Sequence, residues 1–240
     1  MWLVLCTADD LAALWAAREL AARGLQPLEV VTADLLAYSR RFEHRLIAGR
    51  PSVKITLSDG RVINGATVRG TLNRLQTIPG SHLRTNSTDR QYAEQELFAL
   101  YLSWLYALPG IMLNRPTPQG LCGEWRHPSD WVWLAGQAGL ATAPYGQSEL
   151  REAPLCLVPP SRASRTIIVV DGICCGVRAP AEVNAGCRRL SALAATKLMG
   201  IDFDLMPSGK WIFSQATPFP DLRLGGDQLP DALAQSLRKP

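Results

Sequence analysis

The sequence predicts an α/β fold, and three observations at its start support this prediction. Residues 2–6 form a short apolar run, which is typical of a strand buried on both faces. Leu11 and Trp15 then have helical spacing, and Gly24 is placed to end that helix. A second apolar run at 28–32 comes directly afterwards. This β-α-β order predicts two parallel strands joined by a right-handed crossover.

The residues up to about 115 extend this first part. Alternating apolar residues at 53–57 and 62–63 flank Asp59-Gly60, a pair that favours a β-hairpin. Three further elements are predicted in order: a strand over 68–75, a long helix over about 88–106 with a wide apolar face, and a strand over 111–114.

The second part begins at the proline-marked segment 115–118 and predicts an α+β domain. Its predicted elements are a helix capped by Ser129 and ending at Gly139, strands over 166–170 and 173–177 around Asp171-Gly172, a helix over 181–199, strands over 201–205 and 211–213, and a tail of loop with one short helix. We therefore predict two domains, 1–115 and 116–240.

Composition excludes several classes of protein. The chain has 25 Lys+Arg against 21 Asp+Glu, so its net charge of +4 is too small and too dispersed for a nucleic-acid-binding surface. The start lacks a basic segment, and the apolar stretch 97–109 is shorter than the ~20 residues that a membrane-spanning helix needs. These features predict a cytoplasmic protein that binds neither nucleic acid nor membrane. The 47% hydrophobic content is compatible with a homo-oligomer but does not require one.

Cysteine and histidine give weak signals. The six cysteines form no CxxC pair, and buried free thiols are the simplest interpretation. Cys122 and His127 are a conceivable metal pair, but two ligands do not complete a zinc site. Cys174 and Cys175 are neighbours on a predicted strand, so we expect their thiols on opposite faces, one buried and one half-exposed.

Asp202 and Asp204 lie two positions apart on one predicted strand and therefore share a face. Two carboxylates on one face suit Mg²⁺, although the same spacing occurs at solvent-exposed strand ends. The nucleotide-binding and hydrolase motifs GxGxxG, P-loop, GxSxG and HExxH are absent from the sequence.

The order of several short motifs resembles the ATP-grasp superfamily, in its glutamate-ligase-like and peptide-modifying branch. The motifs are Asn114-Arg115-Pro116, the helix end Ala138-Gly139-Leu140 followed by Pro144, Gly200-Ile201-Asp202-Phe203, and Gly209-Lys210-Trp211-Ile212-Phe213. The resemblance implies that 1–115 is a Rossmann-like domain that precedes the ATP-grasp domain. It also implies that 116–240 is an ATP-grasp-like α+β domain.

The same resemblance implies a magnesium site, and this sequence differs from the family at two of its three ligand positions. Asp202 matches a family metal ligand, whereas Gln215 stands where the family has Glu and Thr217 where it has Asn. A neutral amide and a hydroxyl replace a bridging carboxylate poorly, because Mg²⁺ prefers anionic oxygen.

The resemblance also implies a subdomain that grips the nucleotide, and this subdomain is shorter in this sequence than in the family. Only residues 145–165 separate Pro144 from the next family-like strand, and this stretch contains no lysine. Phosphoryl chemistry depends on positioned cations. The second domain is therefore predicted to be truncated.

These departures favour a non-catalytic ATP-grasp-like protein that has no cofactor and binds a protein or peptide partner, such as a modification enzyme. The alternative is a minimal ATP-dependent ligase that joins a carboxylate to an amine. In that case Asp202 would hold Mg²⁺ with Asp204 or Asp221, and Arg178 or Arg188 would contact phosphate. A third hypothesis is a small-molecule-binding module in the cleft between the two halves.

Overall fold

Two units make up the chain in the computed structural model, which describes residues 1–80, 87–146 and 164–239. The first unit comprises Met1–Glu124 and Leu233–Pro240, and the second comprises Trp125–Ala232. The sequence placed the border at 115–116 and did not anticipate the return of the last residues to the first unit.

The first unit contains two sheets and most of the helical residues. Its strands are β1 (Trp2–Cys6), β2 (Leu28–Thr32), β3 (Arg41–Ile47), β4 (Arg50–Thr56), β5 (Val62–Asn64), β6 (Gly70–Asn73) and β7 (Ile111–Leu113), and its helices are α1 (Leu11–Ala22), α2 (Ala33–Ala37) and α3 (Ser87–Ala107).

The four strands β2-β1-β6-β7 form a sheet in which every pairing is parallel. All five residues of β1 are buried, as expected for a central strand covered on both faces. Helix α1 ends at Ala22, and Gly24 follows with φ +80, a conformation that favours glycine. The predicted parallel β-α-β unit is confirmed.

The other sheet of this unit is antiparallel, in the order β3-β4-β5, with Asp59-Gly60 in the turn between its last two strands. Helix α3 packs on this sheet. Phe42, Tyr101 and Trp104 meet edge to face, with ring centroids 5.5–6.0 Å apart. The predicted hairpin and long helix are confirmed.

The second unit contains one antiparallel sheet in the order β11-β10-β8-β9. Its elements are β8 (Ser164–Val170), β9 (Ile173–Gly176), β10 (Leu198–Leu205), β11 (Trp211–Thr217), α4 (Pro128–Gln137) and α5 (Ala181–Leu193), and α6 (Leu229–Leu237) begins in it. Helices α4 and α5 cover one face of the sheet, where Leu134, Leu190 and Phe203 belong to a continuous apolar core. The predicted α/β fold class is confirmed.

Two predicted boundaries in this unit are wrong. Helix α4 is capped by His127 and not by Ser129: the His127 ring nitrogen accepts from Ser129 N at 3.2 Å, and Asp130 accepts from His127 N. The helix predicted over 181–199 ends at Leu193, because Ala195 adopts φ +49 and the chain reverses into β10. The apolar residues that begin β10 show no periodicity that would distinguish a buried strand from a buried helix.

Within the described residues, no helix combines the length and apolar composition that crossing a bilayer requires.

Candidate functional site

Three polar side chains meet on the sheet of the second unit. The Asp202 carboxylate on β10 accepts a hydrogen bond from the Thr166 hydroxyl on β8, at 2.6 Å. Its other oxygen accepts from the Gln215 amide nitrogen on β11, at 2.8 Å. Thr166 and Gln215 stand directly opposite Asp202 in the two flanking strands. We call these three residues the Asp202 cluster.

The Asp202 cluster lies on the sheet face away from α4 and α5. The neighbouring part of this face is covered by the chain that follows β11. A Cβ added at Gly200 would lie 2.7 Å from the Pro220 side chain, so this close approach requires glycine. Asp202 and Thr166 are partly buried and Gln215 is exposed. The cluster is therefore open to solvent.

A β-bulge in β11 sets the position of Gln215. Asp202 pairs with Gln215 and Phe203 with Phe213, so Ser214 is the extra residue. Ala216 and Phe213 are both buried although they are three residues apart. The bulge thus keeps both apolar residues in the core while Gln215 faces Asp202.

Thr217, the third position implied by the resemblance, makes a local hydrogen bond with the backbone. Its hydroxyl oxygen accepts from Phe219 N at 3.0 Å, which fixes the turn at the end of β11. The structure therefore brings together Asp202 and Gln215, adds Thr166, and gives Thr217 a local bond. Thr166 was predicted only as the start of a strand.

These residues do not fit a magnesium ion. Both Asp202 oxygens accept hydrogen bonds from neutral groups, the Thr166 hydroxyl and the Gln215 amide, and neither of these residues supplies a second anionic oxygen. Asp221 is held by Arg223, with N–O distances of 2.8 and 2.7 Å. In the part of the chain that is described, no group of three or more His, Cys, Asp or Glu side chains is arranged to hold a metal.

The remaining candidates are distributed over other positions. Asp204 lies two residues along β10, as predicted. Arg178 lines a cavity whose described wall includes neither Asp202 nor Gln215. Burial raises the pKa of the Cys174 thiol, and the nearby positive charge of Arg188 opposes this shift. The lysine-free stretch 145–165, on which the predicted truncation rests, lies mostly outside the described residues.

The cysteines are structural where they are described. Cys174 is half-buried and Cys175 is buried on the opposite face, as predicted. The Cys122 thiol donates to the carbonyl oxygen of Asn73 at 3.0 Å, and burial raises its pKa to about 12. His127 is the cap of α4, so neither member of the conceivable metal pair is held ready for zinc.

A second polar cluster lies at the carboxyl ends of β1 and β6, in the first unit. Arg74 binds Asp10 through Nε at 2.7 Å and a second nitrogen at 3.2 Å, with side chains 2% and 5% exposed. Asn73 donates to the carbonyl oxygens of Asn114 and Leu121, at 2.9 and 2.6 Å. We call this group the Arg74 cluster. Its polar groups satisfy one another.

No protein-family model matches the sequence, and no curated protein matches it significantly. Solved structures do resemble the fold. The macrocyclase MdnB from Microcystis aeruginosa MRC is 14% identical with a TM-score of 0.74, and the match covers 100% of both chains. MdnC from the same organism, bound with its precursor peptide MdnA, is 13% identical with a TM-score of 0.73 and the same coverage.

A third similar structure is a RiPP-associated ATP-grasp ligase from Chryseobacterium gregarium, in complex with ADP and a leader and core peptide. It is 10% identical with a TM-score of 0.68, and the match covers 99% of this chain and 95% of that one. At these identities the likeness concerns the fold.

Proposed function

We propose that this chain, which has the fold of the ATP-grasp ligases, acts as a non-catalytic subunit that binds a peptide or protein partner of a modification enzyme. The observation that carries the proposal is the pair of neutral donors, Thr166 and Gln215, on the two oxygens of Asp202.

The chemistry of the donor set supports the loss of ligase activity. Mg²⁺ bound to ATP is held mainly by anionic oxygens, and only one of the two carboxylates expected from the family, Asp202, is kept. A cation at Asp202 would have to displace two hydrogen bonds. The negative charge that normally offsets this cost is missing at Gln215, where the family has Glu.

The similar structures support the partner class. MdnC is described with its precursor peptide, and the Chryseobacterium gregarium ligase with a leader and core peptide. We expect a chain with this fold to keep a surface that holds a peptide even without the metal ligands. Presentation of a substrate to a separate enzyme requires only such a surface.

Thermal shift with Mg²⁺ tests the metal part of this proposal. We expect the melting temperature of the wild-type protein to stay constant over millimolar Mg²⁺. Gln215→Glu places a second carboxylate against Asp202, so this variant should melt lower without Mg²⁺ and regain stability when Mg²⁺ is added. Gln215→Met is the matched control, because it removes the donor without adding charge and should not respond. Micromolar binding of Mg-ATP to the wild type, measured by calorimetry, would contradict the proposal.

A minimal ligase is the second candidate, favoured by the carboxylate that persists at Asp202. It predicts ADP release by the wild type in the presence of an acceptor peptide, and loss of this release in Asp202→Ala with the fold intact. The non-catalytic proposal predicts no ADP release from either protein.

A further inference from the structure

The sheet of the second unit has two edge strands that differ in how they are covered. At β11, the Phe213 N–H donates to the carbonyl oxygen of Ala141 at 2.7 Å, and Thr142 forms a parallel bridge to the same strand. At β9, no backbone hydrogen bond from the described residues reaches the outer edge. β9 is therefore the edge of this sheet left open by the described chain.

The register identifies which groups of β9 point outward. Val170 and Ile173 close the two-residue turn Asp171-Gly172, whose φ angles of +49 and +85 suit a tight hairpin. Bonded and non-bonded pairs alternate in an antiparallel ladder, so Ile173 and Cys175 bond to β8. The N–H and C=O groups of Cys174 and Gly176 consequently face away from the sheet, about 7 Å apart along the strand.

A cavity of about 550 Å³ lies against this edge. One wall is β9 and the residues after it, through Ala179, and the other is the segment Gly225–Gln228. Gly226 has no heavy atom within 4 Å of the position a Cβ would take, so the wall is open at this residue. Arg178 and Asp227 give the lining charges of both signs, which suits a polar backbone better than an apolar ligand.

Exposed sheet edges are usually protected by proline, inward charges or bulges. The sequence of β9, Ile173–Gly176, contains neither proline nor charge, and its pairing with β8 is regular. An edge that the described chain leaves unpaired, beside a cavity, is an arrangement to which an extended peptide can add a strand.

We infer that the β9 edge is the docking site of the partner, which binds there as an extended peptide segment and adds a fifth strand to the sheet. This inference rests on the proposed partner-binding function and specifies its site. Affinity would come from backbone hydrogen bonds to Cys174 and Gly176, so binding depends on the peptide's backbone more than on its sequence.

The test uses the full chain and a capped hexapeptide of alternating threonine and valine, with affinity measured by NMR titration. Cys174→Pro removes the outward N–H without breaking the ladder to β8, because proline is tolerated where the N–H faces away from the sheet. We expect at least a tenfold loss of affinity in Cys174→Pro. Cys174→Ala, which keeps the N–H, should bind like the wild type.

Two N-methylated peptides provide a readout that does not depend on the folding of Cys174→Pro. Each peptide carries methyl groups on alternate backbone nitrogens, and the two peptides differ in which set of nitrogens is methylated. In one arrangement, or phase, the methyl groups face β9, and in the other phase they face solvent. We expect one phase to lose binding at least tenfold and the other to retain it, with amide shifts concentrated at 174–179 and 225–228. Equal effects of the two phases, shifts elsewhere, or no binding to the wild type would overturn the inference.

A second copy of the chain is the competing occupant. A wild-type dimer that becomes monomeric in Cys174→Pro, measured by light scattering, would assign the edge to self-association and overturn the peptide inference. Peptide binding at another surface would also overturn it, yet leave the proposed function standing. Micromolar Mg-ATP binding with ADP release would instead contradict the proposed function.

Discussion

The Arg74 cluster and the Asp202 cluster are both built from polar side chains in or next to a sheet, but they differ in burial. The Arg74–Asp10 pair is almost completely buried at the carboxyl ends of parallel strands, where α/β proteins commonly bind ligands. The Asp202 cluster lies on a half-open sheet face with an exposed amide.

This difference separates a cluster on which stability depends from one that contributes little to stability. Buried ions must be paired, and Arg74 and Asp10 pair with each other. Among the described residues, Asp202 accepts hydrogen bonds from Thr166 and Gln215, which water can replace. Stability should therefore depend on the first cluster, and changes at the second should have little effect on folding.

The largest effect is expected for Arg74→Met. It leaves the Asp10 carboxylate buried without its counter-ion, and breaking a buried pair in this way costs roughly 3–5 kcal/mol of unfolding free energy. Urea denaturation followed by circular dichroism measures it. The control is Arg223→Met, which breaks the exposed pair with Asp221 and should cost less than about 1 kcal/mol. Equal losses in the two variants would contradict the assigned structural role.

An intermediate effect is expected at alkaline pH, through the Cys122 thiol, which donates to the carbonyl oxygen of Asn73 in the Arg74 cluster. Burial raises its pKa from 9.0 to about 12 in the folded protein. Below pH 9 the thiol is protonated in both states. Between pH 9 and 12 it ionises only in the unfolded chain, so the free energy of unfolding falls by about 1.4 kcal/mol per pH unit.

The comparison that isolates this effect is with Cys122→Ser, which keeps a donor for the carbonyl oxygen of Asn73 but does not titrate in this range. Denaturation curves at pH 8 and pH 10.5 should show a smaller loss in this variant than in the wild type. Equal losses of unfolding free energy in the two proteins would mean that the pKa of Cys122 in the folded protein is that of an ordinary thiol.

The sequence predicted the elements of both clusters better than their contacts. Hydrophobic runs and turn pairs such as Asp59-Gly60 and Asp171-Gly172 located most strands, because these signals are local. The Arg74–Asp10 pair joins residues 64 positions apart, and nothing local marks either of them as buried.

The Asp202 cluster shows the same limit. Asp202, Gln215 and Thr217 were singled out from the resemblance, but whether they meet depends on strand register. Gln215 faces Asp202 because of the bulge at Ser214, and no residue type in β11 predicts a bulge at that position. Thr166 carried no signal of its own, because its role comes from standing opposite Asp202 in the neighbouring strand.

The smallest effect is expected for Asp202→Ala. The change removes two hydrogen bonds, but water can reach the groups left behind, Thr166 and the exposed Gln215. Each bond contributes about 0.5–1.5 kcal/mol when fully sheltered, and less where solvent replaces it. The unfolding free energy should therefore fall by about 1 kcal/mol or less. A double-mutant cycle with Gln215→Ala should give a coupling of about 0.5 kcal/mol. A loss above about 3 kcal/mol would place Asp202 in the same class as Arg74, because only an interaction sheltered from water costs that much to break.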